Sequence, residues 1–312
     1  MNAMNDFSSL KGKRCVVTGG AGFVGSHLSD ALLEVGASVV NVDRTGVSHP
    51  DAHVGATFIS CDLQDATKLT EIIAGADFVF HLAALVSVQG SIDAPRDYYA
   101  VNVGGTLNVL EAARASASRP RVILASSAAV YGDQPEKRAR ESMLPNPKSP
   151  YGLHKYFGER MAALWHELYG IETISIRPFN IYGTRMNPNG PYAGVIGKFM
   201  QMRADGLPLS ITGDGTQTRD FVHVSDMVRG YLFAAVSSNV GAGEIINIAS
   251  GKSISLNELA VMVGGEVAHV PARVEIKDSE ADITRAKELL DWEPQVMLEE
   301  GIAALKTALN IV

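Results

Sequence analysis

Two short stretches of the chain carry side chains that can orient an alcohol and move its proton. One is Ser126-Ser127-Ala128-Ala129-Val130-Tyr131-Gly132; the other holds Tyr151 and Lys155. Four residues apart on a helix, Tyr151 and Lys155 share a face about one turn apart. A lysine ammonium beside a phenol stabilises the phenolate and lowers its pKa toward working pH. A phenolate can take a hydroxyl proton while a serine holds the same oxygen, and a hydride can then leave for a nicotinamide ring. Strand-end capping is the other use for Ser126 and Ser127, and one of the two is expected to serve it. Tyr-x-x-x-Lys alone arises often by chance, so the reading depends on whether the chain also holds a dinucleotide.

That evidence lies near the N-terminus, in Gly19-Gly20-Ala21-Gly22-Phe23-Val24-Gly25. An apolar strand precedes the run, and a helix bearing Val24, Leu28, Ala31 and Leu32 follows it. Glycines there permit a tight turn and bring backbone N–H groups to a pyrophosphate at the positive end of the helix. Asp43 ends the next strand about 18 residues past Gly25, where a carboxylate would hold the adenosine ribose hydroxyls. Asp43 repels a 2′-phosphate, so NAD is preferred over NADP, although Arg44 beside it could hold that phosphate. Asp62 could accept from the adenine amino group, and the small residues of Leu82-Ala83-Ala84 allow close approach to a cofactor. His81 reads as a satisfied structural histidine.

The elements that must position these groups are apolar strands at 14–18, 38–43, 57–61, 78–82, 121–126 and 173–177. Between them run helical patterns at 24–35, 66–74, 97–115 and 150–169. The strands show little alternation, as strands covered on both faces do. The expected class is α/β: a doubly wound parallel sheet (Rossmann) with a smaller C-terminal substrate-binding lobe. The dinucleotide domain is read as 12–178, with 217–249, bearing a helix near 224–237 and a strand near 245–249, returning to it. The second lobe is read as 179–216 and 250–312, with helices near 283–290 and 298–309. The first ten residues read as a polar, poorly ordered leader.

The net charge of −7 argues against a nucleic-acid partner, whose footprint is basic. No apolar run is long enough to span a bilayer and no signal peptide opens the chain, which points to the cytoplasm. Cys15 and Cys61 fall in strands as small buried groups, with no disulfide or metal site implied.

Taken together, these residues resemble the extended short-chain dehydrogenase/reductases, especially the nucleotide-sugar epimerases and dehydratases. The likeness runs through Thr18-Gly19-Gly20-Ala21-Gly22-Phe23-Val24-Gly25, Asp43, Asp62-Leu63, His81-Leu82-Ala83-Ala84, Asn102, the Ser127 segment and Tyr151 with Lys155. It continues in Arg177-Pro178-Phe179-Asn180-Ile181-Tyr182-Gly183 and Thr218-Arg219-Asp220-Phe221-Val222-His223-Val224-Ser225-Asp226. The resemblance implies catalytic roles for Ser127, Tyr151 and Lys155. For NAD it implies Gly19, Gly22, Phe23, Val24, Gly25, Asp43, Arg44, Asp62, Leu63, Leu82, Ala83, Ala84, Asn102, Ser126, Tyr151, Lys155 and Pro178. For a nucleotide-diphosphate sugar it implies Ser87, Ser127, Asn180, Ala193, Val195, Arg219 and Ser279, with Arg219 gripping the diphosphate through paired bonds. An ion pair with Asp220 or Asp226 is the structural alternative for Arg219. Family members of this kind are commonly homodimers that pair two long helices per subunit, for which 97–115 and 150–169 are the candidates.

The segment after the serine sorts the family by reaction. Nucleotide-sugar 4,6-dehydratases resemble Thr-Asp-Glu before Val-Tyr-Gly, and UDP-glucuronate decarboxylases keep the glutamate; this chain has Ala128 and Ala129. Alanine moves no proton, so elimination lacks its acid and base. Galactose-type 4-epimerases have small or neutral residues at both places. The expected reaction is therefore NAD-dependent 4-epimerisation of a UDP-hexose through a 4-keto intermediate. The rivals are another NAD-dependent step on a nucleotide sugar and a non-catalytic NAD-binding regulator, the latter opposed by retention of Ser127, Tyr151 and Lys155. Asn189-Gly190-Pro191-Tyr192-Ala193-Gly194-Val195-Ile196 and Lys277-Asp278-Ser279-Glu280-Ala281-Asp282 resemble enzymes that accept UDP-N-acetylhexosamines. Ser279 falls where glucose/galactose-restricted members carry a bulky tyrosine. One departure is Ala272-Arg273-Val274-Glu275-Ile276, where the family usually has Arg-x-Gly-Asp to grip the diphosphate; Arg273 is the candidate left there.

Overall fold

A computed structural model describes residues 5–44, 55–134, 136, 138–187, 194–272 and 276–311. The chain opens with β1 (Arg14–Thr18), α1 (Phe23–Glu34), β2 (Ser38–Asp43), β3 (Thr57–Ser60), α2 (Ala66–Ile73) and β4 (Phe78–His81). There follow α3 (Val88–Asp93), α4 (Pro95–Tyr99), α5 (Gly105–Ala115), β5 (Arg121–Ala125), β6 (Arg138–Ala139), α6 (Pro150–Tyr169), β7 (Thr173–Pro178) and β8 (Asn180–Tyr182). The remainder holds α7 (Val195–Ala204), β9 (Leu209–Thr212), β10 (Thr218–His223), α8 (Val224–Val236), β11 (Ala242–Ile248), β12 (Ser253–Ser255) and α9 (Leu256–Val263). It closes with β13 (Val267–Val270), β14 (Glu280–Ala281), α10 (Thr284–Leu290) and α11 (Leu298–Ala308).

Seven strands form one parallel sheet in the order β11-β7-β5-β4-β1-β2-β3. Both faces are covered, which explains the unbroken apolar strands. Cys15 and Val17 of β1 pack with Leu28, Leu32, Val228 and Leu232 of α1 and α8, while Val16 between them packs with Leu69, Val109 and Ala162 of α2, α5 and α6. This is the doubly wound α/β class. Strand order reverses at β1, so the carboxyl ends of β1 and β4 flank the crevice where ligands of such sheets bind.

A third core, centred on Phe199, Leu209, Ile211, Phe221, Leu259 and Ile302, lies under α7, α9 and α11. Its sheets are small: β8 and β12 flank β10, β13 pairs with β9, and β14 pairs with β6. These strands of two to six residues carry too little pattern to be read from sequence.

Two expectations need correction. Asn5–Leu10 is a 3₁₀ turn, not a loose leader, because Phe7 and Leu10 insert into the core beside α8. The stretch 97–115 is not one α-helix: a π-helical turn, Ala100–Gly104, separates α4 from α5 and carries Asn102.

Candidate active site

The glycine run is a cradle that side chains would fill. Gly19 has φ +74°, and a Cβ there would lie 2.8 Å from the backbone nitrogen of Ala83. A Cβ on Gly25 would meet the Gly19 carbonyl oxygen at 2.1 Å. The turn thus closes on itself and on the Leu82-Ala83 segment, which the Thr18 carbonyl and hydroxyl hold through the Leu82 and Ala83 N–H groups. α1 starts at Phe23 with Gly22 at its N-cap and no side chain capping its first N–H groups. Its leading N–H groups, including that of Val24, are left for an anion. These residues fit a dinucleotide pyrophosphate.

Beyond the cradle, the Asp43 carboxylate accepts from the Arg44 N–H at 2.8 Å at the end of β2. Arg44 reaches toward Asp62 at 3.9 Å, an exposed pair of little energetic weight, and Asp62 accepts from Gln64. Leu63 is buried against α5, where Gly105 leaves room for it. Asn102 lends its amide to both backbone groups of Leu85, so it shapes the loop after β4. His81 bonds Thr18 and Thr106 at 2.8 and 3.0 Å, and burial, aided by the Lys155 charge, pushes its imidazole down to about 3. It is a neutral structural histidine, as read.

The two serines at the end of β5 part company. Ser126 donates its hydroxyl to Glu159 at 2.5 Å. Ser127 accepts from the Ala129 N–H at 3.1 Å, capping a 3₁₀ turn, and its hydroxyl lies on the Tyr151 side, near enough to favour the phenolate. Tyr151 sits in the first turn of α6, which starts where it does because Ser149 caps it and Pro150 takes its first position. The Ser91 hydroxyl accepts the Tyr151 N–H at 3.1 Å, tying that turn to α3. Lys155 donates to the Ala125 carbonyl at 2.7 Å and stands 5.9 Å from the Tyr151 ring centre. Burial pushes the phenol up, with Ser127 opposing; burial also brings the Lys155 ammonium down to about 8, against the pull of Glu159. Pro178 ends β7 beside this group.

Sequence reading missed Glu159. It lies four residues past Lys155 on the same helix face, the one signal that pointed inward. Fully buried, it receives Ser126 and both arms of Arg177 at 2.7 Å, and Arg177 stacks over Tyr131 at 4.5 Å. α6, β5 and β7 are joined there beneath the reactive residues.

On the small-sheet side, Asn180 donates its side-chain amide to the Asp220 carbonyl at 2.8 Å. Arg219 donates to the carbonyls of Thr218 and Lys277 at 2.8 and 3.1 Å. Asp220 accepts from Ser250, Gly251 and Ala281, and Asp226 from Arg229, Gln295 and Val296, so both carboxylates are engaged elsewhere. Ser279 is half-buried and donates its N–H to Thr218. Ser87 caps α3, and Val195 opens α7 half-buried. Ala193 and Arg273 lie outside the described residues. No cluster of three or more potential metal-binding side chains occurs among the described residues.

Residues 15–249 match the NAD dependent epimerase/dehydratase family. The chain belongs to this family, and its cofactor is NAD. A UDP-glucose 4-epimerase of Mycolicibacterium smegmatis is 38% identical over 305 residues, spanning 93% of this chain and 96% of the relative. Among solved structures, UDP-glucose 4-epimerase of Thermotoga maritima with UDP-glucose superposes with a TM-score of 0.88 at 34% identity, covering 96% of this chain and 98% of that one. UDP-N-acetylglucosamine 4-epimerase of Methanobrevibacter ruminantium, in complex with UDP-N-acetylmuramic acid, gives 0.87 at 34% identity over 96% and 99%. The matched residues thus run from the glycine cradle through Asp226 and stop before Ser279.

Proposed function

We propose that this family member is a nucleotide-sugar 4-epimerase acting on UDP-hexoses, N-acetylated ones included. The observation that carries the reading is the Ser127–Tyr151–Lys155 group at the end of β5, followed by Ala128 and Ala129 where elimination would need an acid and a base. In this chain the group stands alongside the glycine cradle. Residues 12–178 and 217–249 form the dinucleotide half, and 179–216 with 250–312 form the sugar lobe.

Bound NAD supplies a reversible hydride acceptor at C4 of the sugar. Tyr151 takes the C4 hydroxyl proton while Ser127 holds the C4 oxygen. Lys155, fixed by the Ala125 carbonyl, keeps positive charge beside the phenolate. Asn180 and Arg219 hold the diphosphate while the 4-keto sugar turns over its other face, and Tyr151 then returns the proton. A small side chain at Ser279 leaves room for an N-acetyl group. Asp43 selects NAD by repelling a 2′-phosphate.

We also propose a homodimer. Leu153, Phe157, Leu164 and Leu168 form an exposed apolar stripe along α6, joined by Leu107 of α5 and by Ile92 and Tyr99. A stripe of this spacing marks a helix face built to be covered. Among the described residues no helix is long and apolar enough to cross a membrane, and the place of work we assign is the cytoplasm.

The test is incubation with UDP-glucose, UDP-N-acetylglucosamine and UDP-glucuronate separately, without added NAD, and resolution of the products. The C4 epimer of at least one is expected. No epimer from any, even with NAD supplied, overturns the reading.

A further inference from the structure

Resting on the reading above, we infer that Asp220 is the positioning residue of the substrate's nucleotide end: its buried carboxylate holds Arg219, Asn180 and Ser279 in mutual register without touching substrate. The side chain is fully buried, and its partners are four neutral donors. Oδ1 accepts from the Ser250 N–H and hydroxyl at 2.8 and 2.7 Å; Oδ2 accepts from the N–H groups of Gly251 and Ala281 at 3.0 and 3.1 Å. Three separate segments therefore meet on one carboxylate: β10, the turn that follows β11, and β14.

Each candidate substrate residue is tied to this junction. Asn180 is bonded to the backbone carbonyl of Asp220 itself. Arg219 is its chain neighbour, and the guanidinium is placed by the Lys277 carbonyl, at the start of the segment that Asp220 fastens at Ala281. Ser279 lies between those two points, stitched to β10 by its N–H on the Thr218 carbonyl. The Thr218 hydroxyl on Asp278 adds a further stitch. Moving the carboxylate would shift the guanidinium and the sugar-side serine together, while the glycine cradle follows β1 and Tyr151 sits on α6.

Asp220→Asn keeps the shape but places an amide NH₂ against backbone N–H groups whichever way it turns, because both oxygens face such donors. Ser250→Ala removes one donor and is milder. The full chain in each form is assayed for kcat and KM with UDP-glucose, for UDP affinity by calorimetry, and for retained NAD. For Asp220→Asn, KM and the UDP Kd are expected to rise about tenfold or more, with kcat within about twofold and NAD retained. For Ser250→Ala the same pattern at about two- to fourfold is expected. Unchanged KM and Kd, or kcat and NAD retention falling as far as affinity, overturns the inference. Asp220→Asn decides when its circular dichroism matches wild type, and Ser250→Ala decides otherwise. A wild type that binds UDP but epimerises nothing removes the functional reading alone, and the UDP affinities still judge Asp220.

Discussion

Tyr151 and Lys155 differ from the other tyrosines and lysines by where α6 begins. Ser149 and Pro150 start the helix so that both side chains face the end of β5, where the Ala125 carbonyl and Ser127 meet them. Tyr151→Phe removes the proton carrier and leaves the cradle intact. Turnover should fall by about 10²-fold or more, with NAD content by absorbance unchanged; retained activity would remove Tyr151 from the role. His81 gives a second outcome at this scale. Its pKa is depressed from 6.5 to about 3, so the unfolded chain takes up the proton first. The stability it contributes is complete above pH 6.5 and lost as pH falls toward 3, at about 1.4 kcal/mol per unit. Urea titrations between pH 6.5 and 5 should show that slope, and His81→Gln should flatten it. Of these residues, type and spacing marked Tyr151 and Lys155 as candidates for proton transfer. Residue type alone could not separate Ser126 from Ser127, because adjacent positions in an extended segment differ only by which side they face; the family resemblance named Ser127.

At the scale of elements, the sheet was legible because every buried strand is a short apolar run next to an amphipathic helix. The π-helical turn at Ala100–Gly104 was not, since its wider turn leaves composition unchanged and only shifts the faces after it. α3 was invisible as well; six residues carry no period to detect. Glu159 belongs here, for it joins α6 to β5 and β7. Glu159→Gln strands the buried Arg177 guanidinium and should cost about 3–5 kcal/mol in urea unfolding, well above a surface substitution. A loss below about 1 kcal/mol would mean that the pair is dispensable.

For the whole molecule, the parallel sheet and the small-strand lobe are built on separate cores. The apolar stripe on α5 and α6 faces away from both. Phe157→Glu with Leu164→Glu should convert a dimer to a monomer by sedimentation, while each subunit keeps its NAD; a monomeric wild type would leave the stripe without this purpose. This exposed stripe could not be told from a buried one in sequence, because exposure is what separates them.

The cysteines complete the view of the molecule. Cys15 lies at the centre of the sheet with its thiol pushed up to about 12 by burial, and Cys61 is buried with its thiol likewise raised. A thiol kept protonated and out of contact with solvent does not react with maleimides. The two thiols should therefore label slowly, leaving a low background for fluorescence labelling. Thr184 is exposed and meets His27 of α1 mainly through its carbonyl at 2.9 Å, with its hydroxyl a longer 3.5 Å away. A single Thr184→Cys would put one dye beside the crevice, where its emission could follow each arrival of sugar nucleotide in real time.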